Sequence, residues 1–158
     1  MRVAILTVSD EVAEGERADL CGPLLHKLVA QAGGTVSCSD AVPADRAAIT
    51  AWLCRVIDEH AVDLVLTAGG AELGPRDFTP EATLDVLERQ VPGIAEALRA
   101  AGLATSARAM LWRGVAGLVG DVLVVNLAGN PKALTEQWNV VAPAIMLAVA
   151  SARGPRHP

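Results

Sequence analysis

Apolar positions along the chain follow two periods. Residues 2–8 and 62–67 are short, largely apolar runs rich in β-branched side chains, the pattern of strands covered on both faces. Between residues 20 and 32, Leu20, Leu24, Leu25, Leu28, Val29 and Ala32 fall on one helical face, and Gly33-Gly34 stops that helix. Residues 35–42 form a weaker strand ending at Pro43. In the following segment Ile49, Trp52, Leu53, Val56 and Ile57 recur at helical spacing and place Trp52 on the buried side. Beyond the run at 62–67, helices are predicted over 80–89 and 92–103, divided by Val91-Pro92-Gly93. Strands near 109–118 and 122–127 flank the turn signal Gly120-Asp121. A last helix over 132–151 contains Pro143, which predicts a kink or a break. The tail 153–158 is expected to fray after a domain spanning 1–152.

Strands alternating with helices predict an α/β fold: a single doubly wound domain with a mostly parallel sheet and helices on both faces. Its central strand should be 62–67, flanked by the strands carrying Leu6 and Val124. Ligands of such sheets sit at the carboxyl ends of the strands. Three loops meet that condition: Ser9-Asp10, residues 67–77 and residues 128–132. The second is a glycine-rich turn of a kind common in α/β proteins. Gly69 and Gly70 allow positive φ or close approach to a ligand, Thr79 is placed to cap the next helix, and Pro80 and Glu81 suit its first turn. Backbone N–H groups at this junction suit a phosphate, and a bland surface loop would use the same residues. Asp77 stands where a carboxylate holds Mg²⁺ beside a phosphate, or where it closes a local turn.

The chain has 158 residues, 52% of them hydrophobic and 3% aromatic, so its core is built from Ala, Val, Leu and Ile. A net charge of -5 argues against a nucleic-acid partner and leaves room for a small anionic ligand. Cys21, Cys38 and Cys54 lack Cys-x-x-Cys spacing, which suits free thiols in a reducing cytoplasm. His26, His60 and His157 lack metal-ligand spacing. No signal peptide and no run of about 20 apolar residues is read, so no membrane partner is expected.

The segment Leu66-Thr67-Ala68-Gly69-Gly70 with Gly74-Pro75-Arg76-Asp77-Phe78-Thr79-Pro80-Glu81-Ala82 resembles the signature of the molybdenum-cofactor biosynthesis proteins of the MogA/MoaB type. Ile5-Leu6-Thr7-Val8-Ser9-Asp10, Arg113-Gly114-Val115-Ala116-Gly117 and Asn126-Leu127-Ala128-Gly129-Asn130-Pro131-Lys132 agree in order and spacing. The resemblance implies adenylyl transfer from ATP, with Mg²⁺, to the terminal phosphate of molybdopterin, in a homo-oligomer that is a trimer. It implies catalytic roles for Asp77, which would also hold the metal, and for a second carboxylate after Pro43. Ser9, Asp10, Thr67, Gly69, Gly70, Thr79, Gly129, Asn130, Pro131 and Lys132 are the implied contacts to pterin or nucleotide. Arg113 and Lys132 would supply cations, although Lys132 also fits an exposed first turn.

Several motif positions depart from that pattern. Ala44 stands where the second carboxylate belongs, and Asp45 follows one place later, as a substitute or as a helix cap. Ala71-Glu72 replaces Thr-Gly, so Glu72 either faces solvent, joins a metal site or repels a phosphate. Trp112 replaces a small hydroxyl residue, and Ala128 and Asn130 replace Pro and Ser. The competing reading is a non-catalytic paralogue that binds pterin or nucleotide, or only assembles. A phospho-acceptor signalling domain is rejected, because the central strand ends in Thr67 rather than an acid.

Overall fold

The computed structural model describes residues 1–154. The central strand β3 (Leu64–Ala68) lies between β1 (Arg2–Val8) and β6 (Val122–Leu127), as the three apolar runs predict. Leu6 pairs with Thr67, and Thr67 with Asn126. Outside β1 runs β2 (Thr35–Val42). Outside β6 come β5 (Ala116–Val119) and the two-residue β4 (Arg89–Gln90). The sheet has six strands in the order β2-β1-β3-β6-β5-β4. Its first three pairings are parallel and its last two antiparallel.

Strand pleating sends alternate side chains to opposite layers. Val3, Ile5, Leu64, Leu66, Val125 and Leu127 meet three helices on one face: α2 (Cys21–Gln31), α5 (Pro92–Leu103) and α6 (Pro131–Ala152). Ala4, Leu6, Val8, Val65 and Val124 meet α3 (Arg46–Glu59) and α4 (Thr79–Val86) on the other. The chain therefore leaves β1 over one face to reach β2, then crosses the other face to β3. This reversal opens a crevice between the carboxyl ends of β1 and β3, the usual ligand position in an open α/β sheet. Trp52 is a core residue as expected, with its indole N–H donating to Asp40 at 2.7 Å.

Four expectations need correction. The strand expected from 109 begins only at Ala116, because residues Ala107–Leu111 form a 3-10 turn capped by Ser106, whose hydroxyl accepts from the Arg108 N–H. Met110 and Leu111, which made this segment look strand-like, are exposed. The helix expected over 80–89 ends at Val86, and Arg89 and Gln90 join the sheet edge. Of the kink or break expected at Pro143, the break is absent: helix α6 runs on past it, and the proline ring is exposed, so the carbonyl it leaves unbonded faces water. By length and composition α6 is also apolar enough to cross a membrane, contrary to the sequence reading. Leu134, Trp138, Val141, Ile145 and Val149 nevertheless lie on one buried stripe of it against the sheet. Residues 155–158, most of the tail expected to fray and including His157, lie outside the described residues. Arg153, the first residue of that tail, forms an ion pair with the buried Asp63.

Candidate active site

Two glycines shape the floor of the crevice. After β3, Gly69 and Gly70 take φ of +99° and +68°. A β-carbon on Gly69 would stand 2.6 Å from the Val8 carbonyl oxygen, and one on Gly129 would stand 2.8 Å from the Gly69 α-carbon. Only glycine permits this backbone-on-backbone approach. It draws the loops after β1, β3 and β6 into one cleft of about 620 Å³. Ser9, Gly69, Gly70, Asp77, Gly129, Asn130 and Pro131 all line it, so seven of the sequence-predicted residues share a wall.

On the β1 side, Ser9 caps the short helix α1 (Asp10–Ala13). Its hydroxyl accepts from the Val12 N–H and from Arg17 at 3.2 Å. Asp10 is turned across the mouth of the cleft. Its carboxylate accepts from Arg76 at 2.7 and 3.0 Å and from the Ala44 N–H at 2.9 Å. The Arg76 guanidinium, helped by that N–H, holds the Asp10 carboxyl below its ordinary pKa. Asp77 faces the cleft and also accepts from the Gly74 N–H at 2.7 Å, so it both closes a turn and keeps one oxygen for other partners.

Other predicted residues stand elsewhere. Asp45 is the N-cap of α3, accepting from the Ala48 N–H at 2.8 Å, and it is Ala44 whose methyl lines the cleft. Thr67 and Thr79 are fully buried behind the cleft. Thr79 does not cap α4 but begins it: its hydroxyl donates to the Gly69 carbonyl at 2.8 Å and its N–H to the Gly70 carbonyl at 2.9 Å. Asn130 caps α6 by accepting from the Ala133 N–H at 2.9 Å, and Pro131 takes the first helical position. Lys132 is exposed on the wall of a second groove of about 570 Å³, between α5, α6 and the 3-10 turn. Arg113 forms a clamp: it pairs with Glu81 and donates to the carbonyls of Glu72 and Asp77, each at 2.7 Å. Arg113 therefore holds the loop 71–77 rather than an anion.

Glu72 turns out of the cleft toward the second groove, where Arg108 pairs with it at 2.9 Å. The repulsion of a bound phosphate that its sequence position suggested therefore has no geometric basis here. Trp112, also on that groove, is buried with its ring where a side chain on Gly114 would stand and with the Arg99 guanidinium 5.8 Å from its centre. Its indole nitrogen has no hydrogen-bond partner.

Sequence reasoning missed three cleft residues. Asp19 accepts from the Cys21 and Gly22 N–H groups at 3.0 and 2.9 Å and from the Thr7 hydroxyl at 2.8 Å. Its position just before Cys21-Gly22-Pro23 was a helix-start signal that the apolar reading overran. Arg17 and Arg76 bring positive charge to the mouth. In sequence they look like any solvated loop arginine. Cys21 sits beside Asp19, and burial, reinforced by that carboxylate, raises its thiol pKa.

Residues 4–147 match the family described as a probable molybdopterin binding domain. The chain belongs to that family. A molybdopterin adenylyltransferase of Helicobacter pylori is 33% identical over 147 residues, covering 92% of this chain and 84% of the relative. The crystal structure of the molybdopterin biosynthesis enzyme MoaB of Thermus thermophilus superposes with a TM-score of 0.91 at 41% identity, covering 98% of this chain and 97% of that one. Longer members exist: the chain spans 23% of the Drosophila melanogaster protein cinnamon and half of a bifunctional protein of Chlorobaculum tepidum. The glycine turn, Asp77 and the Gly129-x-Pro131 loop are thus arranged on a MogA/MoaB-type scaffold.

Proposed function

We propose that the protein acts in molybdenum-cofactor biosynthesis as a molybdopterin adenylyltransferase, using ATP in the cytoplasm. The observation that carries this reading is the meeting of Gly69-Gly70, Asp77 and Gly129–Pro131 in one cleft at the β1/β3 switch point. In the reaction, an oxygen of the molybdopterin phosphate forms a bond to the α-phosphorus of ATP. The bond from that phosphorus to the bridging oxygen breaks, and pyrophosphate leaves with the electron pair. Bringing two anions together demands donors and cations fixed in advance. Among the described residues the Gly70 N–H has no acceptor, which leaves it for a phosphate oxygen. Arg17 and Arg76 would receive the charge that develops on pyrophosphate once the anion displaces them from Glu11 and Asp10.

No cluster of three or more metal-ligating side chains exists among the described residues. That fits Mg²⁺ arriving with the nucleotide, which needs one or two protein carboxylates and takes its remaining ligands from phosphate and water. Asp77 would hold it and Asp19 lies on the same cleft; the ion supplies neutralisation of phosphate charge. A trimer accords with the exposed Leu73, Leu103, Met110 and Leu111.

The second reading, a binding paralogue without turnover, is favoured by one observation: Ala44 puts a methyl on the cleft where the resemblance implies a carboxylate, and Asp45 is used as a cap. Incubation of purified protein with molybdopterin, Mg²⁺ and ATP decides between the two. Adenylylated pterin with an equal amount of pyrophosphate over many turnovers supports the enzyme. Tight binding of both substrates with no product supports the paralogue.

A further inference from the structure

Thr79 donates both of its hydrogen bonds to the glycine turn. Its hydroxyl holds the Gly69 carbonyl at 2.8 Å and its backbone N–H holds the Gly70 carbonyl at 2.9 Å. All peptide bonds here are trans, and in a planar trans peptide the C=O of one residue and the N–H of the next point in opposite directions. Pinning the Gly69 carbonyl inward therefore turns the Gly70 N–H outward, and pinning the Gly70 carbonyl holds the following peptide plane in place. Outward is the cleft: Gly70 lines it, while Thr79 is fully buried behind it. The Gly69 N–H is already used, donating to the Leu127 carbonyl at 3.1 Å.

Thr79 is itself held from below. The Thr83 hydroxyl donates to the Thr79 carbonyl at 2.7 Å. Asn126 donates through both hydrogens of its amide, to Thr83 and to Thr67, each at 2.9 Å, and its oxygen accepts from the Val115 N–H at 3.0 Å. All four side chains, Thr67, Thr79, Thr83 and Asn126, are fully buried. A buried polar network in which every member is satisfied fixes one geometry, because any rotation would orphan a group at a cost of about 1–3 kcal/mol.

We propose that Thr79 is a positioning residue. Anchored by Thr83 and Asn126, it aims the Gly70 N–H at the phosphate of a bound ligand and never touches that ligand. This inference rests on the cleft being a phosphate site, and it replaces the direct contact that the family resemblance implied for Thr79.

The test compares Thr79→Val, which keeps the shape and removes the hydroxyl, with Thr79→Ser, which keeps the hydroxyl. Each is titrated calorimetrically with Mg²⁺-ATP and with inorganic pyrophosphate, and each is melted. Thr79→Val should weaken both probes about tenfold, while Thr79→Ser stays within about twofold. A measurement on the parent protein needs no variant: pyrophosphate should move the amide resonance of Gly70 while the Thr79 amide proton stays protected from exchange. Equal affinities for the two variants, or a Gly70 amide unmoved at saturation, would overturn the inference and leave the phosphate site standing. A parent that binds neither probe would overturn the functional reading and this inference together.

Discussion

Asp77 and Asp45 look alike in sequence, and the folded chain separates them. Asp77 sits on the cleft, whereas Asp45 accepts from the first turn of α3. Asp77→Ala should therefore lower turnover about a hundredfold while costing about 1 kcal/mol of stability through the lost turn bond. Asp45→Ala should show the reverse, near-parental turnover with about 1 kcal/mol lost from the cap. Steady-state kinetics beside urea denaturation checks both. Had Glu72 pointed into the phosphate cradle, one of its three sequence readings, Glu72→Gly would have tightened nucleotide binding. Its pairing with Arg108 on the far side of the loop removes the reason. Affinity for ATP in Glu72→Gly should stay within about twofold of the parent, since an exposed ion pair is worth about 0–1 kcal/mol. The Glu81–Arg113 clamp adds a pH dependence. The arginine's hydrogen bond lowers the Glu81 pKa below its ordinary 4.5, so the clamp's stabilisation is present above that value and is lost as pH falls through the folded-state value. Glu81→Gln should flatten the acid limb of stability measured against pH.

At the scale of elements, apolar runs and glycine stops were enough to find the strands and to choose the central one, because a buried parallel strand leaves a continuous apolar signature. They failed at Ala107–Leu111, where Met110 and Leu111 are apolar and exposed, so periodicity carried no information about a core. The two threonines expected to touch the ligand show a further limit. Sequence marked the motif, but which residues face the cleft and which support it depends on the crossing of β3, β6 and α4. Pro143 shows how context overrides a breaker: on the exposed side of α6 its missing N–H orphans only a carbonyl open to water. Pro143→Ala should restore that bond and raise stability by about 1 kcal/mol, the gain reduced by the freer unfolded chain, as read from the urea midpoint. An unchanged midpoint would mean the helix has already absorbed the proline without loss.

For the whole molecule, the doubly wound sheet determines where chemistry is possible: loops far apart in sequence converge only at the carboxyl ends of β1, β3 and β6. Exposed Leu73, Leu103, Met110 and Leu111 leave apolar surface for other copies of the chain. Sedimentation at micromolar concentration should give the mass of a trimer, and a monomer alone would exclude that assembly. The cleft's role as the phosphate site is open to one direct measurement: amide hydrogen exchange with and without saturating Mg²⁺-ATP. Protection should rise in residues 9–19, 69–77 and 129–131 and stay unchanged along the second groove at residues 99–112. Protection confined to that groove, or no change in the three loops, would contradict the site assigned here.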